Sequence, residues 1–318
     1  MTEINFAQGE SLIAATAQPM LQIAERHHNP CFRPISSQAV EPLREEEQDE
    51  VLAFLTNRAE QTFMMTGWIL DNGIVSEMNR GTFYGHRDRA GRLDGLALVG
   101  HVTLFETQNE EALATFARLA KDCASVNTII AEAEELDVFL SYYDRDGETP
   151  RMICRERLLE ACYMQPEDQG TPRLRLATLE DLDLIAPVHA QMAFEESGKD
   201  PLLTDREGFY RRCVRRIKQE RVWIHVQDRE LIFKADVISD TPEVIYLEGV
   251  YVNCTKRGIG LGSRFLKQLT NRLLAKTKSV CLLVNHKNDA AGACYKKAGY
   301  QCRDLYDTVY LTRTLRRV

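Results

Sequence analysis

Apolar and polar positions alternate most legibly in the carboxy-terminal half of the chain. Arg173 to Ala177 (RLRLA) alternates as a short strand, and Thr178 with Asp181 three residues on marks a helix start that runs toward His189. A polar loop, Glu195 to Pro201, separates it from a second helix over about Asp205 to Glu220. Val222–Val226 and Leu231–Ser239 read as a hairpin turning near Asp228-Arg229, and Glu243–Val252 as a further strand. A glycine-rich turn, a helix from about Gly260 to Ala275, the apolar strand Val280–Val284, a helix Asn288–Ala298 and a strand Arg303–Leu311 complete this half.

The amino-terminal half is less regular. Glu45–Arg58 and Glu60–Leu70 have helical spacing, Gly81–His86 and Leu93–Glu106 form a hairpin, and Asn109–Lys121, Thr128–Glu132 and Glu134–Tyr143 follow as helix, strand and helix. This strand-strand-helix-strand-helix run parallels the second half, so an internal structural repeat is expected. The stretch Gln165 to Pro172, with two prolines, one glycine and no apolar residue, is the expected linker. The expected domains are therefore 1–165 and 172–318.

Composition adds little until it is divided along the chain. With 318 residues, 44% hydrophobic and 27% charged, the chain is long enough for two cores and too apolar to be disordered. The net charge of −7 hides a split: residues 251–318 hold 14 Lys plus Arg against three acids, a local +11, which leaves −18 for the rest. That points to an anionic ligand at the carboxy-terminal end, or to a solvated basic helix face. Nucleic acid is not expected, because no cluster of stacking aromatics accompanies the cations.

Nine cysteines without a C-x-x-C pair fit neither a zinc site nor a disulfide framework, and reduced thiols in a cytoplasmic protein are expected. His27-His28 is the one adjacent histidine pair, read as solvated rather than ligating, so no metal is expected. The first residues show no secretory pattern, and the longest apolar stretch, around Leu96–Phe105, falls short of the ~20 residues that span a bilayer. No membrane partner is expected.

Arg257-Gly258-Ile259-Gly260-Leu261-Gly262 follows a strand and opens a helix, where free N–H groups and the helix dipole favour an anion; Lys256, Arg257 and Arg264 add positive charge. No Gly-Lys-Ser/Thr follows, which excludes a P-loop, and Ser263 stands where a dinucleotide fingerprint needs its third glycine. The R-x-x-G-x-G pattern of Arg257, Gly260 and Gly262 resembles the pyrophosphate loop of the GNAT superfamily of acyl-coenzyme A-dependent N-acyltransferases. One strand and one helix later, Asn288, Ala291, Tyr295, Lys297, Gly299 and Tyr300 resemble that family's N-x-x-A-x-x-x-Y-x-K-x-G-aromatic segment. The resemblance covers roughly residues 172–313, with a closer likeness to bacterial two-domain members whose first half is degenerate.

The resemblance implies an α/β fold with a mixed central sheet and helices on both faces, and an amino-terminal copy that has lost its phosphate turn, since Thr107-Gln108-Asn109-Glu110-Glu111 carries two acids and no glycine. It implies acetyl transfer from acetyl-coenzyme A to a primary amine of a small molecule or peptide, by direct attack. The backbone from Arg257 through Gly258, Ile259, Gly260, Leu261 and Gly262 to Ser263 would hold the pyrophosphate, Asn288 would meet the pantetheine arm, and an N–H among Val250, Tyr251 and Val252 would polarise the thioester carbonyl. Tyr295 would be the general acid, or a packed helix residue. Glu248 would be the base, an electrostatic anchor for the ammonium, or half of a buried ion pair. Glu195 and Glu196, in the acidic loop, would touch the acceptor or simply be solvated. A thiol or hydroxyl acceptor, and an acyl-coenzyme A-binding regulatory module without turnover, are the competing expectations; the chain would act as a monomer or homodimer.

Overall fold

In the computed structural model, which describes residues 40–143 and 150–311, the amino-terminal half runs β1 (Glu41–Pro42), α1 (Gln48–Thr56), α2 (Ala59–Asn72), β2 (Gly81–Arg87), β3 (Leu93–Gly100), β4 (Val102–Thr107), α3 (Glu110–Asp122), β5 (Thr128–Glu132), α4 (Ala133–Tyr143) and β6 (Met152–Ala161). The carboxy-terminal half runs β7 (Arg175–Leu176), α5 (Leu182–Ser197), α6 (Pro201–Thr204), α7 (Arg206–Lys218), β8 (Val222–Gln227), β9 (Glu230–Asp240), β10 (Val244–Val252), α8 (Leu261–Leu274), β11 (Ser279–Asn285), α9 (Asp289–Lys297) and β12 (Gln301–Tyr310). His27 and His28 lie outside the described residues.

Three expectations need correction. Leu93–Glu106 is two strands, because the chain reverses at Gly100-His101 and β3 pairs antiparallel with β4. The segment Glu195–Pro201 is not all loop: α5 continues to Ser197 and stops at Gly198, whose φ of +67° ends the helix. The strand β6 had no counterpart in the sequence reading, and it is central to the sheet.

The twelve strands of the described residues form one sheet in the order β1-β2-β3-β4-β5-β12-β6-β11-β10-β9-β8-β7. The pattern is antiparallel except for β4 with β5 and β10 with β11. β6, from the first half, lies between β11 and β12, while β12 bridges β6 to β5. The expected boundary at 165–172 thus falls between segments of a continuous sheet. The helix α2 also crosses it: the Phe63 ring packs tilted against Tyr246 with centroids 4.5 Å apart, and Ser239 Oγ donates to the Phe63 carbonyl at 2.7 Å. On the opposite face Phe265, Leu266, Leu269 and Leu273 of α8 pack on Ile245, Leu247, Val280 and Leu282, each burial contributing roughly 1.5–3 kcal/mol.

Both parallel pairs open partway along. β4 and β5 are in register only at Val102–Thr128 and Thr103–Ile129. Beyond that point Arg58, between α1 and α2, reaches Glu106 on β4 at 3.0 Å, Glu132 on β5 at 2.9 Å and Glu135 on α4 at 3.1 Å. Burial pushes the Glu106 and Glu132 carboxyls above their usual range, and Arg58 pulls them back only in part. Because the folded state then holds protons more tightly than the unfolded one, these groups cost stability as pH rises. Removing their cation should sharpen that loss. We expect Arg58→Met to lower stability by about 3–5 kcal/mol at pH 8 and by clearly less at pH 5, measured by urea unfolding at both pH values. An equal loss at the two would show that the carboxylates do not depend on Arg58.

Candidate active site

The second opening lies between β10 and β11. Their register runs from Val244–Ser279 to Leu247–Leu282 and stops. From Glu248 onward β10 follows only β9, and there the register slips: Glu248 faces Asp236, yet Tyr251 faces Lys234. The extra residue is a β-bulge at Gly249-Val250, with Gly249 at φ +59°. On the far side, β11 stays paired with β6 to Asn285–Glu156. A gap therefore opens between Glu248–Val252 and the end of β11, with backbone groups of the bulge released from the ladder.

At one end of this gap Asn253 caps a short turn that leads to Arg257, whose Nε donates to the Val252 carbonyl at 3.0 Å and ties the loop to the strand end. Gly258 and Gly260 have φ of +81° and +80°, and Gly260 is the N-cap of α8 with no side chain to satisfy the first-turn N–H groups. Nothing stands within 4 Å of where a Cβ on Gly258 or Gly260 would lie. Gly262 has the opposite constraint: a Cβ would press on Val252 at 2.9 Å and Cys294 Sγ at 3.2 Å, so its absence lets α8 approach β10 and α9. Ser263 Oγ donates to the Gly260 carbonyl at 3.0 Å, and Ile259 and Leu261 flank the turn, Ile259 exposed. An uncapped helix start with Lys256, Arg257 and Arg264 beside it is a fit for a phosphate group. The equivalent start of α3 differs: Asn109 Oδ1 accepts from the N–H groups of Glu111 and Ala112, so that helix is capped by its own chain.

Tyr295 of α9 is buried in the core cluster against which Val250, Val252, Leu261 and Ala291 pack. Burial, with small contributions from Cys294 and Glu196, raises its phenol well above the usual value, so it stays protonated. Asn288 caps α9, its Oδ1 accepting from the Ala291 N–H at 3.0 Å, which leaves its amide nitrogen for other contacts.

Glu248 is reached by solvent, but the surrounding protein desolvates its carboxyl and raises it above the usual range; Arg216 and a hydrogen bond from Tyr246 offset part of this. Glu196, in the last turn of α5, is pushed up to about 7, first by desolvation and then by Glu248 and Glu156, with Lys234 opposing. Glu156 of β6 is raised by desolvation and by Glu248, while Thr308 Oγ1 donates to it at 2.7 Å. These three carboxyls repel one another across the gap. Glu195 adds a little to the repulsion on its neighbour Glu196, while its own Oε1 accepts from Gln191 at 2.8 Å.

The sequence reading missed Glu156, because its strand was missed, and it missed four residues behind the bulge: Lys234, Asp236, His189 and Arg216. A signal for two of them exists, since Lys and Asp two apart interrupt the otherwise apolar run Leu231–Ile238. Among the described residues no group of three or more His, Cys, Asp or Glu could hold a metal ion, and no helix is long and apolar enough to cross a membrane.

Comparison with known proteins places this geometry. Residues 236–310 match a family model described as FR47-like protein. No curated protein matches the chain. Among solved structures, a Drosophila protein superposes with a TM-score of 0.63 at 14% identity, covering 87% of this chain and 99% of its own. A tandem GNAT protein from the clavulanic acid biosynthesis pathway gives 0.54 at 13%, covering 87% and 99%, and a GNAT-family acetyltransferase from Colwellia psychrerythraea gives 0.52 at 13%, covering 86% and 100%. At such identities the likeness is one of fold.

Proposed function

We propose that this chain, whose fold is the GNAT fold and whose residues 236–310 are FR47-like, transfers an acetyl group from acetyl-coenzyme A to a primary amine. The observation that carries the reading is one gap in the sheet with an uncapped, basic helix start beside it, a desolvated carboxyl on the strand that borders it and a buried phenol on the helix that follows. Acetyl-coenzyme A supplies an activated thioester. The N–H groups of residues 257–263 would hold its pyrophosphate, the strand Val250–Val252 would run beside the pantetheine, and the amide nitrogen of Asn288 is free to meet it. The bulge leaves backbone N–H groups near Val250 for the carbonyl oxygen, where a fixed donor favours developing negative charge. Glu248 takes the ammonium proton, and Tyr295, held neutral by burial, donates to the departing thiolate.

The acceptor end is acidic. Glu156, Glu196 and Glu248 share it, while Arg216 and Lys234 are engaged by Asp236, which supports a cationic amine over an anionic or neutral acceptor. No disulfide joins any two of the described cysteines, in keeping with a reducing compartment such as the cytoplasm. The test is free-thiol release from acetyl-coenzyme A over a panel of amines, with donor binding measured by calorimetry. Absence of donor binding sinks the reading; binding without thiol release from any amine would make the chain a regulatory module instead.

A narrower expectation concerns Glu196. Replacing it with Gln removes a like charge beside Glu248, so Glu248 ionises at lower pH and the acidic limb of kcat/KM moves down. The amine KM should rise about five- to tenfold, as expected for a lost charge-assisted contact, while donor affinity is unchanged. A KM that stays put would remove Glu196 from the acceptor side.

A further inference from the structure

Lys234 and Asp236 lie wholly buried in the middle of β9. Ionisable groups survive in an apolar strand only when paired, and Lys234 Nζ lies 2.9 Å from Asp236 Oδ2. The same oxygen receives Arg216 Nη1 at 3.0 Å from α7 and His189 Nε2 from α5. Burial alone would raise the Asp236 carboxyl, but Lys234, His189 and Arg216 together hold it well below its usual range. Burial keeps His189 neutral at neutral pH, with Nδ1 3.6 Å from Cys213 Sγ. One carboxylate then faces two basic side chains, an excess of basic over acidic groups, although burial pulls the Lys234 ammonium below its usual range while Asp236 pushes it back up.

That excess meets the bulge. Asp236 is the cross-strand partner of Glu248, and the Lys234 ammonium lies where residue 249 would otherwise put a side chain. A Cβ on Gly249 would come within 2.8 Å of Lys234 Nζ, 3.2 Å of Asp236 Oδ2 and 3.6 Å of His189 Nε2. The bulge and the cluster are one construction, since the backbone bends where it does because glycine leaves room for the ammonium behind it.

We propose that Lys234, clamped by Asp236 and backed by His189 and Arg216, is a positioning residue of the acyl-transfer site: it seats the Gly249 bulge and supplies the positive charge that faces Glu248. The inference rests on the acetyltransferase reading above. Tyr246 on its own strand, Asp236 and Lys234 on β9, and Arg216 on α7 face Glu248, as do Glu196 on α5, Glu156 on β6 and Tyr310 on β12. Lys234 and Arg216 are the cations of that set. Removing either one raises the pH at which Glu248 ionises, opposite in sign to removing Glu196.

The test compares wild type with Lys234→Met and Arg216→Gln. Both variants should move the acidic limb of kcat/KM upward by about one pH unit, which is roughly tenfold in rate on the acidic side, with donor affinity within about twofold of wild type. Arg216 stands at the half-exposed edge of the cluster, so its variant keeps the core intact if Lys234→Met fails to fold. Carboxyl NMR titration of the full chain labelled at glutamate, with the Glu248 signal assigned by its loss in Glu248→Gln, should show the same upward shift without turnover. An unmoved limb and an unmoved Glu248 titration in folded Arg216→Gln would overturn the inference. So would a loss of donor affinity with the limb unchanged, the mark of a purely structural role. Wild-type protein that transfers to no amine would end the acetyltransferase reading, and the carboxyl titration would still decide this one.

Discussion

Replacing Gly260 with aspartate is expected to weaken acetyl-coenzyme A binding by about 100-fold, or ~3 kcal/mol, with little change in thermal stability. Two effects combine. Gly260 sits at φ +80°, where an L side chain is strained by roughly 1–2 kcal/mol. Aspartate is also a good N-cap, so its carboxylate would bind the first-turn N–H groups of α8 that Gly260 leaves open, and would repel a phosphate from the same place. The helix gains a cap as the site loses its vacancy, which is why stability and binding should part company. Calorimetric titration with acetyl-coenzyme A measures the one and thermal melting the other. Unchanged affinity in a folded variant would show that the turn is packing alone. The contrast already exists within the chain, since α3 starts with Asn109 capping its own N–H groups.

What could be read from the sequence was what depends on near neighbours. The glycine turn, the helix after it and the hairpin at Asp228-Arg229, both residues at positive φ, are local constructions, and their residue types announce them. The opening of the sheet at Glu248 comes with a register slip against β9 that no single strand encodes. β6 was missed because Arg155, Glu156 and Arg157 make its middle look like a solvated segment. Those residues are satisfied by segments far away in the chain: Arg155 pairs with Asp307, Glu156 receives Thr308, and Arg157 Nη2 donates to the His286 carbonyl. Lys234 and Asp236 were passed over for a related reason. Each contradicts its strand when read alone, and only helices α5 and α7, folding across that face, bring the groups that make the pair tolerable.

The charge split shows the same division. Lys256, Arg257 and Arg264 belong to a contiguous motif and were read as a donor site from sequence. The acceptor carboxyls come from β6, α5 and β10, one from before the expected linker and two from separate elements beyond it, so the site's acidic half exists only once the sheet is assembled.

Tyr295→Phe should separate chemistry from binding. The ring packs within the core, 6.2 Å from the Tyr300 ring, and phenylalanine keeps that packing; the fold and the donor affinity should therefore persist. What is lost is the hydroxyl proposed as the proton donor, on a ring in the cluster against which Val250 and Val252 pack, and kcat should fall by about 10²–10³-fold, in the range of general-acid catalysis. The pH dependence adds a second check. Burial raises the Tyr295 phenol above its ordinary value, so the acid remains protonated across the range in which Glu248 titrates, and wild-type kcat should show an acidic limb without a matching basic one below about pH 10. Stopped-flow or steady-state thiol release over pH 5–10 (roughly the span of these ordinary values) reads both. A kcat that survives the loss of the hydroxyl would mean that solvent protonates the thiolate, and would leave Glu248 as the sole side chain acting on a proton in this gap.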